Sequence, residues 1–427
     1  MTGPRAILIR GARLLDPASG RDAPGDLCLV GGNIVAPPAV LPPDTEIIEA
    51  RGLAAAPGFI DLHVHLREPG GEEAETIETG CRAAARGGFT TVVAMPNTRP
   101  PLDTPELVAA QIRRAEEVGL CRVRPAACIT SGRAGGAPAP LAELAAAGAC
   151  AFTDDGSTVP DGDLMRRAME QAAALSRPIL DHAQDPVRER QGIMHEGAWS
   201  ARWRLPGIPS EAEVEIVERD IRLARETGCR VHLQHVSAAG SVEALRRALA
   251  AGWPVSGEAT PHHLALTDAD VRPDDARWKM NPPLRGESDR TALVRAVAEG
   301  TLSVLATDHA PHTTAAKARG FREAPFGVIG LETAVGVTFT RLVAGGRMSA
   351  LDWVRRWTVG PARVLGLPDP TLAPGAPADV VLLDLDAEWE IRPDSFASKS
   401  RNTPFEGWRA RGRAVRTFRA GQTTGRG

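Results

Sequence analysis

Two histidines separated by one residue, His63 and His65, are the first feature of this sequence that could do chemistry. They lie in an apolar run, residues 59–66, which predicts a short buried strand. Side chains alternate between the two faces of a strand, so Asp61, His63 and His65 are expected on one face. Two imidazoles placed in this way can bind one Zn²⁺ ion, although a His-x-His pair is a weak signal by itself.

Further nitrogen and oxygen ligands stand at the ends of later strand-like runs. They are Asp155, His182, His235 and Asp308, in the runs 149–155, 178–184, 230–237 and 302–309. A lone histidine there is more often structural, and a lone aspartate more often caps a helix. Five strands that offer ligands at the same end favour a metal site instead. Four histidines and two aspartates exceed one tetrahedral zinc site, which predicts two ions.

The neighbouring polar residues can be sorted by the same alternation. Asp154 and His232 are expected to face away from the ligands. His262 and His263 lie just past the seventh run and are interpreted as second-sphere or structural residues, with a direct metal role as the alternative. His195 lies outside any strand-like run and is interpreted as structural.

Eight strand-like runs alternate with helical segments rich in Ala, Arg and Leu. The other four runs are residues 59–66, 90–95, 122–130 and 254–260. This pattern predicts an α/β protein with a (β/α)₈ TIM-type barrel, whose chemistry lies at the carboxyl ends of the strands. A doubly wound open sheet is the alternative, but no Gly-rich dinucleotide fingerprint follows the first run.

The two chain termini carry short strand patterns that cannot close a core alone. We therefore predict a small β-sandwich domain built from both ends, with residues 1–54 as its first part and 371–427 as its second. The catalytic barrel, residues 55–370, is inserted between them.

Size and composition narrow the class of protein. The 427 residues have a net charge of −3, which provides no basic face for nucleic acid. The six cysteines form no Cys-x-x-Cys pair, which fits free thiols in a reducing compartment. No signal peptide and no membrane-spanning run is visible. A cytoplasmic protein is predicted.

Several motifs together resemble the class I bacterial dihydroorotases of the amidohydrolase superfamily, over nearly the whole chain. These motifs are Asp61-Leu-His-Val-His-Leu-Arg-Glu-Pro-Gly70, Met95-Pro-Asn-Thr98, Phe152-Thr-Asp-Asp-Gly156, Lys279-Met-Asn-Pro-Pro-Leu284, Ala306-Thr-Asp-His-Ala-Pro-His312, Ala324-Pro-Phe-Gly327 and Asn402-Thr-Pro-Phe-Glu406. No ligand position departs from the family pattern.

The resemblance implies a zinc enzyme that interconverts (S)-dihydroorotate and N-carbamoyl-L-aspartate in pyrimidine biosynthesis. It implies as metal ligands His63, His65, Asp155, His182, His235 and Asp308. It implies as substrate contacts His65, Arg67, Asn97, Asn281, His312, Phe326 and Gly327.

Two further roles can be predicted. One is the bridge between the two zinc ions, and the other is the proton carrier. Many related hydrolases use a carboxylated lysine as the bridge, but no lysine precedes Lys279, so Asp155 is the predicted bridge. Zinc lowers the pKa of bound water to about 7, and the resulting hydroxide would attack the ring carbonyl. Asp308 would shuttle the proton to the leaving nitrogen, with a ligand-only role as the alternative.

Arg67 is predicted to bind the substrate carboxylate together with Asn97 and His312. A salt bridge from Arg67 to Glu68 or Glu72 is the alternative. The segment 309–326, rich in Pro, Gly and Ala, is interpreted as a mobile cover over the site.

Other functions and partners remain open at this point. A hydantoinase or allantoinase on the same scaffold is the second enzymatic interpretation, and a scaffold subunit for aspartate carbamoyltransferase is the third. A small-molecule substrate, a homodimer and a possible association with aspartate carbamoyltransferase are the expected partners. Neither nucleic acid nor a membrane is expected as a partner.

Overall fold

Residues 6–427, which the computed structural model describes, form eighteen strands and fifteen α-helices. The strands are β1 Ile7–Asp16, β2 Arg21–Val30, β3 Asn33–Val35, β4 Glu46–Glu49, β5 Ala54–Pro57, β6 Phe59–Val64, β7 Phe89–Ala94, β8 Arg122–Ala127, β9 Ala151–Phe152, β10 Ile179–Asp181, β11 Met194–His195, β12 Gly207–Ile208, β13 Val231–Leu233, β14 Val255–Ala259, β15 Val304–Leu305, β16 Val380–Glu390, β17 Arg409–Arg419 and β18 Gln422–Arg426. The helices are α1 Ile77–Gly87, α2 Pro105–Val118, α3 Leu141–Ala146, α4 Gly162–Ala174, α5 Pro186–Glu189, α6 Ala198–Trp203, α7 Glu211–Thr227, α8 Ala239–Ala250, α9 Pro261–Ala265, α10 Glu287–Glu299, α11 Thr314–Lys317, α12 Gly320–Glu323, α13 Ala334–Thr338, α14 Ala350–Trp357 and α15 Val359–Val364.

Eight parallel strands form a barrel. They pair in the order β15-β14-β13-β10-β9-β8-β7-β6. A parallel bridge between Val64 and His309 joins β6 to the segment after β15, and the N–H of His65 donates to the carbonyl of His309 at 2.8 Å. These contacts close the barrel, which confirms the predicted TIM-type fold.

All eight predicted barrel strands are present, but several are shorter than the sequence pattern indicates. β13 ends at Leu233 and β15 at Leu305. Beyond these ends the chain turns sharply, with a φ of 31° at His235 and 48° at Asp308. Residues other than glycine seldom adopt such angles, and they tend to cluster at functional sites. The predicted runs extend past the hydrogen-bonded ladder, into turning segments that are buried as well.

The second large sheet combines strands from both chain ends. Its order is β18-β17-β16-β5-β1-β2-β3, and β4 pairs with β1. The central contact joins β16 to β5 in antiparallel register, with Val381 opposite Ala56. A separate apolar core lies under this sheet and includes Ile9, Leu14 and Phe418. The prediction of an additional β-rich unit from both termini is confirmed, while the residue bounds of the domains stay a prediction.

The barrel is closed at its amino-terminal end by the last helix before the terminal sheet. Val364 and Leu365, at the end of α15, pack with Ile60 and Leu62 inside the barrel. This apolar plug leaves the carboxyl ends of the strands as the open end. Among residues 6–427, no helix has both the length and the apolar character required to cross a lipid bilayer.

Candidate active site

The carboxyl ends of the barrel strands bring predicted metal ligands into one buried group. His63, His65 and Asp155 offer three ligand atoms that lie within 4.8 Å of one another, and Asp155, His182 and His235 do the same. All five side chains are buried. Because the two trios share Asp155, its carboxylate lies between two sets of imidazoles, the arrangement that a pair of metal ions needs.

The sixth predicted ligand, Asp308, adds a second carboxylate to the first trio. Its Oδ1 lies 3.2 Å from Nε2 of His65 and 3.6 Å from Nε2 of His63. Asp61 holds the preceding turn, because its carboxylate accepts from the N–H and the hydroxyl of Thr307 at 3.0 and 2.6 Å. Asp61 therefore positions Asp308 rather than joining the ligand group itself.

The outer ring nitrogens of the first two histidines are engaged by other side chains. Nδ1 of His63 donates to Glu258 at 2.9 Å, and Nδ1 of His65 donates to Oδ1 of Asn97 at 2.9 Å. Because Nδ1 makes these contacts, Nε2 is the nitrogen of each ring that faces the carboxylates and would bind a metal ion. Nε2 of His63 is buried and lies 3.1 Å from Oδ1 of Asp155, but within residues 6–427 no contact of this atom has the geometry of a hydrogen bond. A metal ion between the side chains would satisfy this atom, so the donor set fits a metal centre.

The charge distribution of the cluster also favours a cation. Burial alone would raise the pKa of Asp155, but His63 and the neighbouring imidazoles lower it well below its ordinary value. Burial likewise opposes the charged form of His63, yet Asp155 and Asp308 raise its pKa well above the ordinary range. Two ionised carboxylates are therefore held away from water and attract positive charge.

A cavity of about 350 Å³ opens above the cluster, and the predicted substrate contacts line its wall. They are His65, Arg67, Asn97, Asn281, His312, Phe326 and Gly327. Arg133 also lines this cavity, where its guanidinium donates to the carbonyl of Asp154 and the hydroxyl of Ser157. No sequence motif singles out Arg133.

Arg67 faces the cavity without an anionic partner in the protein. Its Nε donates to the carbonyl of Pro311 at 3.1 Å, and no carboxylate of residues 6–427 lies within 4.0 Å of it. Burial lowers its pKa to about 10, which leaves it charged at neutral pH. The alternative of a salt bridge to Glu68 or Glu72 is wrong, since Glu68 contacts Arg114 and Glu72 accepts from the N–H of Gly70.

Two buried lysines fasten the segment that was interpreted as a mobile cover. Nζ of Lys279 donates to the carbonyls of Arg322 and Ala324 at 3.0 and 2.8 Å. Nζ of Lys317 donates to three carbonyls, at 2.9–3.1 Å, of Ala276, Lys279 and Pro325. These bonds tie the segment 309–326 to the loop before Asn281, so a movement of this wall of the cavity would have to break them. The mobile cover stays a prediction.

Asn402, from the far end of the chain, fastens the same segment at a second point. Its Nδ2 donates to the carbonyls of Ala310 and Gly327, both at 3.0 Å, and its Oδ1 accepts from the N–H of His312 at 3.1 Å. A Cβ at Gly327 would lie 2.8 Å from Ala310, so only glycine fits this close approach. The Asn402-Thr-Pro-Phe motif thus positions residues of the cavity wall.

Replacing Lys317 with methionine should loosen this wall. The variant leaves the carbonyl of Pro325 without a donor, and it removes one of the two donors from the carbonyls of Ala276 and Lys279. A buried unsatisfied group costs about 1–3 kcal/mol. We expect a lower free energy of unfolding in urea and a raised KM. Lys399→Met is the matched control, because Lys399 is exposed and bonds only the carbonyl of Glu72. Wild-type stability and KM in Lys317→Met would contradict the proposed role of Lys317.

The sequence-based interpretation of His232 is wrong. His232 does not face outward but lies inside the barrel, with Nε2 3.0 Å from Glu258 and Nδ1 2.8 Å from Ser256. Alternation fails here because β13 ends at Leu233 and the chain turns before His235. His232 and His235 therefore do not belong to one continuous strand.

Glu258, which the sequence reasoning missed, contacts two histidines of the ligand group. This fully buried carboxylate accepts from Nδ1 of His63, from Nε2 of His232 and from the N–H of His235 at 3.1 Å. Burial opposes its ionisation, yet the two histidines lower its pKa to about 2. The available signal in the sequence was an acidic residue within strand β14, whose other residues are small or apolar.

Glu258→Gln should weaken metal binding about 10–100-fold, the usual effect of losing a carboxylate that orients a ligating histidine. A neutral amide cannot accept from all three donors or stabilise the imidazole as well. Competition with a chelator measures the affinity, and Glu299→Gln on the exposed end of α10 is the control. Equal affinity in Glu258→Gln and in wild type would contradict the assignment.

The remaining polar residues fall outside the ligand trios. Asp154 faces away as expected and accepts from the N–H groups of Ile129 and Thr130. His263 lies between the hydroxyl of Thr260 and the carbonyl of Pro282, at 2.8 and 3.0 Å.

Two further histidines lie outside the ligand trios, as the sequence analysis predicts. His262 is buried with Nε2 unpartnered within residues 6–427, and it belongs to neither trio. His195 contacts Arg285 at 3.2 Å, away from the ligands.

Comparison with known proteins gives a consistent result. Residues 52–241 match the family described as dihydro-orotase-like. A dihydroorotase of Anaeromyxobacter dehalogenans is 47% identical over 97% of both chains, and one of Geobacillus thermodenitrificans is 48% identical over 88% of both. An L-hydantoinase from Arthrobacter aurescens superposes with a TM-score of 0.88 over 98% of this chain and 96% of its own, at 24% identity. At that identity the hydantoinase supports the fold alone.

Proposed function

The chain belongs to the dihydroorotase family, and on this premise we propose that it interconverts (S)-dihydroorotate and N-carbamoyl-L-aspartate. The observation that carries the proposal is the placement of two ligand trios around Asp155 beside an arginine that lacks a carboxylate partner. The trios suit hydrolysis of a cyclic amide, and Arg67 suits a ring that bears a carboxylate. In the direction of hydrolysis, water adds to the ring carbonyl carbon, the carbon–nitrogen bond breaks, and the nitrogen receives a proton.

We propose two zinc ions as the cofactor, one for each trio, with Asp155 between them. His63, His65 and Asp308 would hold one ion, while His182 and His235 would hold the other. Zinc supplies a bound water of pKa about 7 and polarises a carbonyl oxygen. The unpartnered Nε2 of His63 and the ionised carboxylates support this assignment.

Asp308 is proposed as the proton carrier. Its carboxylate borders both the ligand cluster and the cavity, and imidazoles lower its pKa far below the ordinary value although burial opposes this. An ionised carboxylate can take a proton from the attacking water. The same group can then return that proton to the ring nitrogen as the carbon–nitrogen bond breaks.

The residues of the wall are proposed to orient the substrate. Arg67 would bind the carboxylate in a bidentate contact, with Asn97 and His312 beside it. Nε2 of His312 donates to the carbonyl of Phe326 at 2.7 Å, which fixes the imidazole. Burial and the Arg67 charge lower the pKa of His312 to about 3, so the imidazole stays neutral.

Asn281 and the 326–327 backbone would contact the ring amide groups. Oδ1 of Asn281 is buried without a partner within residues 6–427, so it is available as an acceptor. The N–H of Gly327 already donates to the carbonyl of Lys279 at 2.9 Å. Gly327 would therefore shape the pocket, and Phe326 would supply the backbone N–H.

A substrate panel tests this function against a hydantoinase. Zinc-loaded enzyme should hydrolyse dihydroorotate far faster than hydantoin, dihydrouracil or allantoin, because only dihydroorotate offers a carboxylate to Arg67. A preference for a neutral ring would contradict the assignment. Such a preference would favour the hydantoinase alternative. The structural similarity to the L-hydantoinase does not by itself support that alternative, because it shows the fold alone.

We also propose a cytoplasmic homodimer that can associate with aspartate carbamoyltransferase. The support is the family membership, together with six buried free cysteines that fit a reducing compartment. Light scattering of the purified chain, alone and mixed with aspartate carbamoyltransferase, tests both associations. A monomer that leaves the second protein's mass unchanged would contradict them. An associated enzyme without dihydroorotate hydrolysis would instead indicate the scaffold role.

A further inference from the structure

A second cleft lies at the amino-terminal end of the barrel, opposite the metal cluster. Its volume is about 510 Å³, against about 350 Å³ for the cavity above the ligands. Small-molecule sites commonly have such volumes. The floor is formed by the starts of β13 and β14 and the wall by α14 and α15, with apolar side chains that include Val231, Val255 and Val364.

The charged lining of this cleft is entirely basic. Four arginines line it, Arg230, Arg355, Arg356 and Arg363, and no aspartate or glutamate does. We call it the arginine cleft. Its other ionisable residue, His232, is already satisfied by Ser256 and Glu258.

Arg356 is the unusual member of this group. It is 8% exposed, and no carboxylate of residues 6–427 lies within 4.0 Å of its guanidinium. Nε donates to the carbonyl of Val297 at 3.0 Å, while neither Nη atom has a partner in the described chain. Arg285, the other arginine of residues 6–427 with so little exposure, lies 3.7 Å from Glu213. Buried charges are normally paired, whereas the Nη atoms of Arg356 have no counter-charge within residues 6–427. They are not among the fully buried unpartnered atoms, and Arg356 lines the cleft.

The protein offsets only part of the positive charge in the arginine cleft. Asp369 accepts from Arg363 at 3.0 and 2.7 Å. Arg230 donates to carbonyls at the carboxyl ends of two helices, where the dipole of each contributes about half a negative charge. Asp352 lies 3.9 Å from Arg355 and is half exposed, so water screens that pair. Positive charge therefore remains at Arg355 and Arg356.

We propose that the arginine cleft binds a small organic anion. A phosphate or carboxylate group would accept from Arg355 and Arg356, as guanidinium groups bind both in bidentate fashion. A planar or apolar remainder would pack against Val231, Val255 and Val364. Arg67 at the other end of the barrel is a comparable case, because its guanidinium also faces a cavity without a carboxylate partner. This site would be separate from catalysis and is independent of which cyclic amide the enzyme hydrolyses.

Calorimetric titration of the zinc-loaded full-length protein tests the arginine cleft. Phenyl phosphate and benzoate are the probes, which separate the two anion chemistries, and benzyl alcohol is the uncharged control. The titrations are repeated with Arg67→Met, which removes the guanidinium of the catalytic cavity, so that binding there is distinguished from binding in the arginine cleft. We expect at least one anionic probe to bind and benzyl alcohol not to bind.

Variants then locate the binding event. Arg356→Gln and Arg355→Gln should each weaken binding about tenfold or more, as the loss of a charge-assisted bond predicts. Arg355→Gln leaves the Arg356 bond to Val297 intact, so it serves if Arg356→Gln fails to fold. Arg295→Gln removes the same charge from the exposed face of α10 and should change nothing. No binding of either anion, or binding that the cleft variants leave unchanged, would overturn the proposal.

Discussion

Asp308→Asn should lower kcat for dihydroorotate hydrolysis by about 10²–10⁴-fold, the range that a positioned proton carrier contributes. The amide has nearly the same shape as the carboxylate but cannot accept the proton of the attacking water. Oδ1 of Asp308 lies 3.2 Å from the nearest imidazole nitrogen, and Asp308 borders the cavity. The other carboxylate that lines the cavity is Asp155, which both ligand trios share.

Metal content decides how this result is interpreted. Asp155 and the four histidines remain in Asp308→Asn, so the variant should keep its zinc when assayed with the metal in slight excess. Asp154→Asn is a control of the same chemistry one residue from Asp155, because Asp154 faces Ile129 and Thr130 instead of the cavity. A zinc-loaded Asp308→Asn enzyme with kcat within a few-fold of wild type would leave Asp308 as a ligand only.

Arg67→Met should raise KM for dihydroorotate about 10–150-fold. A hydrogen bond to a charged group contributes about 1.5–3 kcal/mol, and each 1.4 kcal/mol is a factor of ten in binding. Methionine preserves much of the apolar stem while removing the charge. The expected loss is specific to an anionic ring, because the guanidinium has no carboxylate partner within the described protein.

A neutral substrate supplies the internal control for this variant. Hydrolysis of hydantoin, which offers no carboxylate, should be nearly unaffected by Arg67→Met. The ratio of kcat/KM for dihydroorotate to that for hydantoin should therefore collapse. An unchanged ratio would show that the carboxylate is bound elsewhere in the cavity, where Arg133 is the next basic residue.

The metal cluster could be predicted from the sequence because its physical basis is local. His63 and His65 share one strand face, and the other ligands end predicted strands of a barrel whose carboxyl ends must meet. Strand bounds were less accurate. Positive φ at His235 and Asp308 aims these side chains, and no pattern of apolar residues encodes where the ladder stops.

Residues that act through distant contacts were missed for a different reason. Glu258 and His63 are 195 positions apart and meet only when the barrel closes. The two buried lysines leave a signal only in the composition of the chain. The chain has just three lysines, and Lys279 and Lys317 both fasten the cavity wall. The scarcity of lysine was thus the available signal that these two residues have a specific structural role.

Zinc titration of metal-free enzyme tests the central claim most directly, namely that two cations bound around Asp155 carry the reaction. The protein is stripped with a chelator, zinc is added in known equivalents, and bound zinc and dihydroorotate hydrolysis are measured on the same samples. We expect no activity in the stripped protein and full activity only as binding approaches two zinc ions per chain. Full activity with no metal bound, or a plateau of both bound zinc and activity at one ion per chain, would contradict it.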